Sequence, residues 1–210
     1  MFNRRLACLV LAIAAAWPLA GCKIVAIADQ NAAEPAGFDA AAYADGIWTS
    51  QVLPHFSASA RPVVDVVPAI VGDLAEAGKT FGYRAGEGSP WSFIVSGSGT
   101  VAAKNTESRA GTLEVTVEGL SEPVVLQIGP VIRGNAVRDA LPFVAFKDFT
   151  NQIEYANAGK ALTALALVGF ADNVEAIAAG DTVNFTGSIS MAGASDKVLV
   201  TPVVLEKAAP

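Results

Sequence analysis

From Trp91 to Ala103 the chain reads Trp-Ser-Phe-Ile-Val-Ser-Gly-Ser-Gly-Thr-Val-Ala-Ala, a single long strand bent where Gly97 and Gly99 remove side chains. Two strands follow it closely. Thr112 to Glu118 alternates cleanly, with Leu113, Val115 and Val117 on one face. Glu122 to Ile128 reads as a third strand, and Gly119 to Pro123 fits the hairpin between them. A helical turn is expected at Asn135–Leu141, then a helix from about Asn151 to Val168, where Asn151 and Glu154 make a capping-box-like start. Thr182–Met191 and Lys197–Glu206 complete the pattern as two strands around a loop at Ala192–Asp196. Three strands, a helix and two strands, with a long glycine-bent first strand, is the order of an OB-fold, a five-stranded Greek-key barrel. The expected fold class is therefore α+β, with N-terminal helices followed by a five-stranded OB-like β-barrel and a helix between strands 3 and 4. A different small α+β arrangement is the alternative.

The residues before the barrel divide by composition. Residues 23–38 have little periodicity and contain Pro35 and Gly37, which suits a spacer. Asp39 is placed to cap a first helix of about 16 residues, with Tyr43, Ile47, Trp48, Val52 and Phe56 on one stripe. Pro62 can open a second helix with Val63, Val64, Val67, Ile70, Val71 and Leu74 as its apolar face. Pro68 should kink it, and it should stop near Gly78, where a glycine-rich loop begins. The expected organisation is 1–21 signal, 22–38 lipidated cysteine and spacer, 39–82 helical segment, and 83–210 barrel domain.

The N-terminus carries a targeting signal. Arg4 and Arg5 precede the uncharged run Leu6–Ala16, which is too short for the roughly 20 residues that span a bilayer. Leu19-Ala20-Gly21-Cys22 resembles the lipobox of bacterial lipoproteins, in which the cysteine is acylated and the chain is cut before it. Each acyl CH₂ that enters the bilayer contributes about 0.8 kcal/mol, so two or three chains anchor firmly. Lys23, where an aspartate would favour retention on the inner membrane, favours the outer membrane. Cys8 leaves with the signal, so Cys22 becomes the only thiol, and no intramolecular disulfide or zinc cluster can form.

Charge then narrows the partners. Loss of Arg4 and Arg5 leaves 12 basic against 20 acidic side chains, a net charge of −8. Phosphate backbones and anionic lipid surfaces repel such a domain, so nucleic acid is not an expected partner. The hydrophobic fraction of 52% indicates a folded core.

Enzymatic constellations are nearly absent. His55 is the single histidine, beside Pro54 near a helix end, so histidine-based metal or nucleophile sites have one contributor at most. Ser96 and Ser98 have no neighbouring base, and neither Gly86-Glu-Gly88 nor Gly97-Ser-Gly99 has the lysine or glycine run of a phosphate loop. No catalytic residue, metal or cofactor is expected. The densest polar group is Arg133, Arg138, Asp139, Lys147, Asp148, Asn151, Gln152 and Glu154, among Leu141, Phe143, Phe146 and Phe149. Amides, charges and rings together suit a sugar or a protein partner. An equally physical reading makes Asp148 or Asn151 helix caps, Arg133 and Asp139 ion-pair members, and the phenylalanines core.

Three blocks carry a resemblance: Gln127–Leu141, Phe146–Asn157 with its Phe-Thr-Asn-Gln-Ile-Glu-Tyr-Ala run, and Val183–Ile189 with Val198–Glu206. They resemble a family of predicted periplasmic lipoproteins of unknown function, number twenty-two ninety-one in the domain-of-unknown-function series. Members are lipobox-bearing and are often encoded beside sugar ABC-transporter components, with no established activity. The resemblance implies a non-enzymatic lipoprotein on the periplasmic face of a membrane, binding a sugar or transporter components as an accessory to uptake. The alternative is a structural envelope lipoprotein acting as a protein-interaction module.

Overall fold

A computed structural model describes residues 37–208. The chain divides into Met1–Phe38 and Asp39–Pro210, and only Gly37 and Phe38 of the first unit are described. The signal peptide 1–21, the lipidation site Cys22 and the spacer up to residue 36 lie outside the described residues.

Asp39 caps α1 (Ala40–Ile47), its carboxylate accepting from the Ala41 and Ala42 N–H groups at 3.0 Å each. The helical path is longer than the 16 residues expected. It passes through a π-helical turn (Trp48–Val52) into α2 (Leu53–Ser59). At ~100° per residue, a regular α-helix would swing Val52 and Phe56 away from Ala44. The extra residue of the wide turn rotates them back, and all three are buried.

The second helix differs from expectation at both its break and its end. α3 (Val63–Gly72) contains Pro68 without stopping there. The break falls at Asp73, whose extended backbone and carboxylate cap α4 (Leu74–Phe81) through the Ala75 and Glu76 N–H groups. The buried stripe is Val63, Val66 and Ile70, while Val71 is 75% exposed. Gly78 does not end the helix. A Cβ there would come within 2.3 Å of the Trp91 indole, so this glycine is the seat of that ring.

Among the described residues, seven strands follow from the pairing: β1 (Arg61–Pro62), β2 (Gly82–Tyr83), β3 (Trp91–Asn105), β4 (Thr112–Thr116), β5 (Val124–Gln127), β6 (Thr182–Met191) and β7 (Leu199–Lys207). Five are the expected strands, β5 shorter than expected at four residues; the two-residue strands β1 and β2 were not foreseen, because two residues carry no periodicity. β3 is the common strand of this mixed sheet. Its Trp91–Thr100 half pairs antiparallel with β6, and its Thr100–Asn105 half pairs antiparallel with β4. β1 pairs parallel and β2 antiparallel with the first half of β3. β4 pairs with β5, β5 runs parallel to β7, and β7 pairs with β6, so the sequence of pairings returns to β3. Two glycines of β3 are required by close neighbours. A Cβ on Gly97 would meet the Phe185 ring at 2.7 Å, and one on Gly99 would meet the Thr116 carbonyl at 2.3 Å. A register shift follows Val101, whose N–H and C=O bond Asp181 and Gly180.

Between β5 and β6 lie α5 (Ala136–Asp139), a 3₁₀ turn (Phe146–Asp148) and α6 (Gln152–Ala176). α6 runs eight residues past the expected end at Val168. Gly169 does not stop it, because Phe170 is buried against the core and the Asn173 amide donates to the Leu205 carbonyl at 2.8 Å. Lys104 closes the far end, its ammonium donating to the Val174 and Ile177 carbonyls. α6 packs on β7 and against α1, so the helices of 39–82 and the strands share one core around Phe56, Phe93, Leu126, Leu162, Phe170 and Leu205.

Candidate functional site

The polar group read from the sequence separates into three. Asp148, Asn151 and Glu154 are local capping residues. Asp148 accepts from the Ala145 N–H at 3.2 Å, and Asn151 accepts from Ile153 and Glu154 at 2.9 and 3.0 Å. Glu154 reaches back to the Thr150 N–H and the Asn151 amide. Arg133, Lys147 and Gln152 are exposed. Arg133 belongs to another surface, its backbone N–H donating to Gln127, which in turn donates to Thr201 in the interior.

Arg138 and Asp139 are different. Short α5 presents Arg138 to α6, where its guanidinium lies 3.8 Å from the Tyr155 ring centroid and Nη1 donates to the Tyr155 carbonyl. Nε and Nη2 both donate to Asp139 Oδ1, at 2.9 and 2.6 Å. Arg138 is only 9% exposed, so this pair is largely out of water. Gly159 makes the approach possible, since a Cβ there would press on the Asn135 amide and on Arg138. Burial pushes the Tyr155 phenol above its ordinary range, Arg138 opposes this, and Asp139 and Tyr83 add to it. Tyr155 is therefore a protonated donor at neutral pH. Around it Phe149 lies tilted at 5.3 Å and Phe146 edge-on at 5.6 Å, and Tyr43 of α1 meets Phe149 at 5.4 Å. Burial likewise raises the Tyr43 phenol, with Asp148 and Tyr155 contributing.

Arg138, Asp139 and Tyr155 line a cleft of about 180 Å³ whose opposite wall is Tyr83, Ser89 and Pro90. Sequence reading missed Tyr155 and Tyr83 as site residues. Tyr155 lay inside the distinctive Phe-Thr-Asn-Gln-Ile-Glu-Tyr-Ala run, which was the available signal; Tyr83 had none. His55 is half-buried on α2. Its Nε2 lies 3.2 Å from the Ala140 carbonyl, which can only accept, so the hydrogen sits on Nε2. Phe143 packs edge-on to the imidazole. Among the described residues no cluster of three or more His, Cys, Asp and Glu side chains could hold a metal, and no helix is long and apolar enough to cross a membrane.

A family model described as predicted periplasmic lipoprotein (DUF2291) matches residues 12–206. No curated protein matches the chain. A crystal structure of an OB-fold protein from Thermotoga maritima superposes with a TM-score of 0.67 at 19% identity, covering 82% of this chain and 99% of that one. That similarity bears on fold alone.

Proposed function

The chain belongs to this family of predicted periplasmic lipoproteins, and from that premise we propose that it is a non-enzymatic binding lipoprotein whose Arg138–Asp139–Tyr155 cleft takes a sugar. We read its pairing cycle as an OB-like barrel carrying that cleft at one end of α6. The observation behind the reading is the buried Arg138–Asp139 pair held over Tyr155 at the wall of a cleft. Fixed charge-assisted donors and acceptors beside aromatic rings are what hydroxyl-rich, partly apolar ligands require. A role as an accessory to sugar ABC transport is the fuller form of this proposal. Lys23 after Cys22 favours the outer membrane.

Thermal-shift measurements on the lipoprotein against a panel of hexoses and disaccharides test it. At a sugar concentration of about 100 times Kd, binding stabilises by roughly 2.7 kcal/mol, which raises Tm by about 5–10 °C. The shift is expected to vanish in Arg138→Ala. An absence of any shift, with transporter subunits co-purifying instead, would sink the sugar reading. A second reading, a protein-interaction module, has its own support. An apolar groove runs along α6 between Ile128, Pro130, Leu167 and Val174, with Val168 76% exposed at its edge.

A further inference from the structure

Lys160, Ala164, Leu167, Val168, Ala171 and Glu175 fall within about 100° of arc on α6 and form one stripe along the helix. All but the half-buried Leu167 are exposed, Val168 by 76%. Ile128 and Pro130 wall a groove of about 440 Å³ beside this stripe. Pro130, Ala164 and Leu167 also line a neighbouring groove of about 300 Å³, so the two adjoin and together reach from Lys160 to Glu175. At 1.5 Å per residue that is about 22 Å of helix. An exposed apolar face of this kind, closed by a charge at each end, marks a contact surface.

The order of the residues says what covers it. Counted outward from the midpoint between Leu167 and Val168, Ala171 on one side answers Ala164 on the other, and Glu175 answers Lys160. The apolar positions are symmetric about that midpoint and the charges are opposite. A twofold partner asks for this, because across an isologous contact residue i meets j while j meets i. Two copies of α6 laid antiparallel about the midpoint set Lys160 of each level with Glu175 of the other. Ala164 then lies opposite Ala171, where small side chains let the helices approach to roughly 8 Å. Leu167 and Val168 flank the axis, each beside its counterpart in the second copy. A parallel pairing would instead set Lys160 against Lys160 and Glu175 against Glu175. Neither charge has an ion-pair partner among the described residues, so both are available to a second copy.

We propose that α6 is the dimer contact of this protein, two copies pairing antiparallel along the Lys160–Glu175 stripe about a twofold axis at Leu167 and Val168. Tethering assists, since copies held on one membrane face meet at a raised effective concentration. The proposal rests on reading this groove as a protein contact and is independent of the sugar cleft.

Cross-linking of the lipoprotein in intact membranes tests it. Acylation consumes the Cys22 thiol, so Val168→Cys gives the mature chain one free cysteine, placed beside its own counterpart at the axis. Mild oxidation should convert most of the protein to a disulfide-linked species of twice the mass. Val71→Cys, equally exposed at 75% but on α3, should stay monomeric. In the Val168→Cys background, Lys160→Glu and Glu175→Lys should each lower the cross-linked fraction several-fold, and the two together should restore it. Neither a folding defect nor random collision predicts that recovery. None of these positions lines the Arg138 cleft, so silent sugars leave the dimer standing and a monomer leaves the sugar reading standing. Monomer after oxidation would overturn the proposal, as would equal yields from Val71→Cys or no recovery in the charge swap. A cross-link to a protein of different mass would also overturn it, while keeping the groove as a protein contact.

Discussion

Asp181 accepts the Ala178 N–H at 2.8 Å and pairs with Lys207 at 2.8 Å, joining the turn before β6 to the end of β7. Lys207 first, and the Ala178 N–H second, hold its carboxyl below the ordinary value of 3.8. A carboxyl depressed on folding contributes stability at pH values above its unfolded pKa, and that contribution fades as pH falls through the folded one. Tm measured from about pH 5 down to pH 2 should therefore fall less steeply in Asp181→Asn than in the parent; superimposable acid limbs would refute the role. Side chains that act within three or four residues were legible before any fold was known. Asn151 and Asp39 cap the helices they were expected to cap, because capping is local. Arg138 was read as one of eight candidate binding residues, but its setting was not legible, since its ring partner is seventeen residues away along the chain and Tyr83, which lines the same cleft, lies farther still.

At the level of elements, the strands were read well and the helices less so. Alternation survives burial, which is why Leu113, Val115 and Val117 were recovered as one face of β4 and the loop beyond it. Helix ends were misjudged where a glycine does not terminate the helix. Gly78 makes room for Trp91, and Gly169 is carried through by the buried Phe170 that follows it. The π-helical turn in the first helical stretch has no sequence mark; it shows only as the need to return Val52 and Phe56 to the core. At Gly97 and Gly99 of β3 neighbouring atoms come too close for a Cβ, so these positions are unforgiving. Gly99→Ala should destabilise by about 1–3 kcal/mol through overpacking against Val115 and the Thr116 carbonyl, measured by denaturant unfolding. Gly86→Ala, where the space is open, should fall within about 0.5 kcal/mol of the parent. Comparable midpoints for the two variants would contradict this account of Gly99.

For the molecule as a whole, the family assignment agrees with the lipobox in making this a membrane-anchored periplasmic lipoprotein. Cys22→Ser should move it from the membrane to the soluble fraction while leaving the melting transition of the folded part unchanged; continued membrane fractionation would refute lipid anchoring at that cysteine. Strand order conveyed the α+β class from sequence, and the long strand expected there is shared by two partners. The covering of that strand was not legible. β6 and β4 take one side each of different halves of β3, and the remaining side of its first half is occupied by β1 and β2, two residues apiece, with Pro62 among them. Anchored copies of one protein are confined to a plane and meet repeatedly in similar orientations, the condition under which an open strand edge templates aggregation. By covering that edge with β1 and β2 from its own N-terminal segment, each copy shortens the row of free amides and carbonyls that the first half of β3 would offer a neighbour.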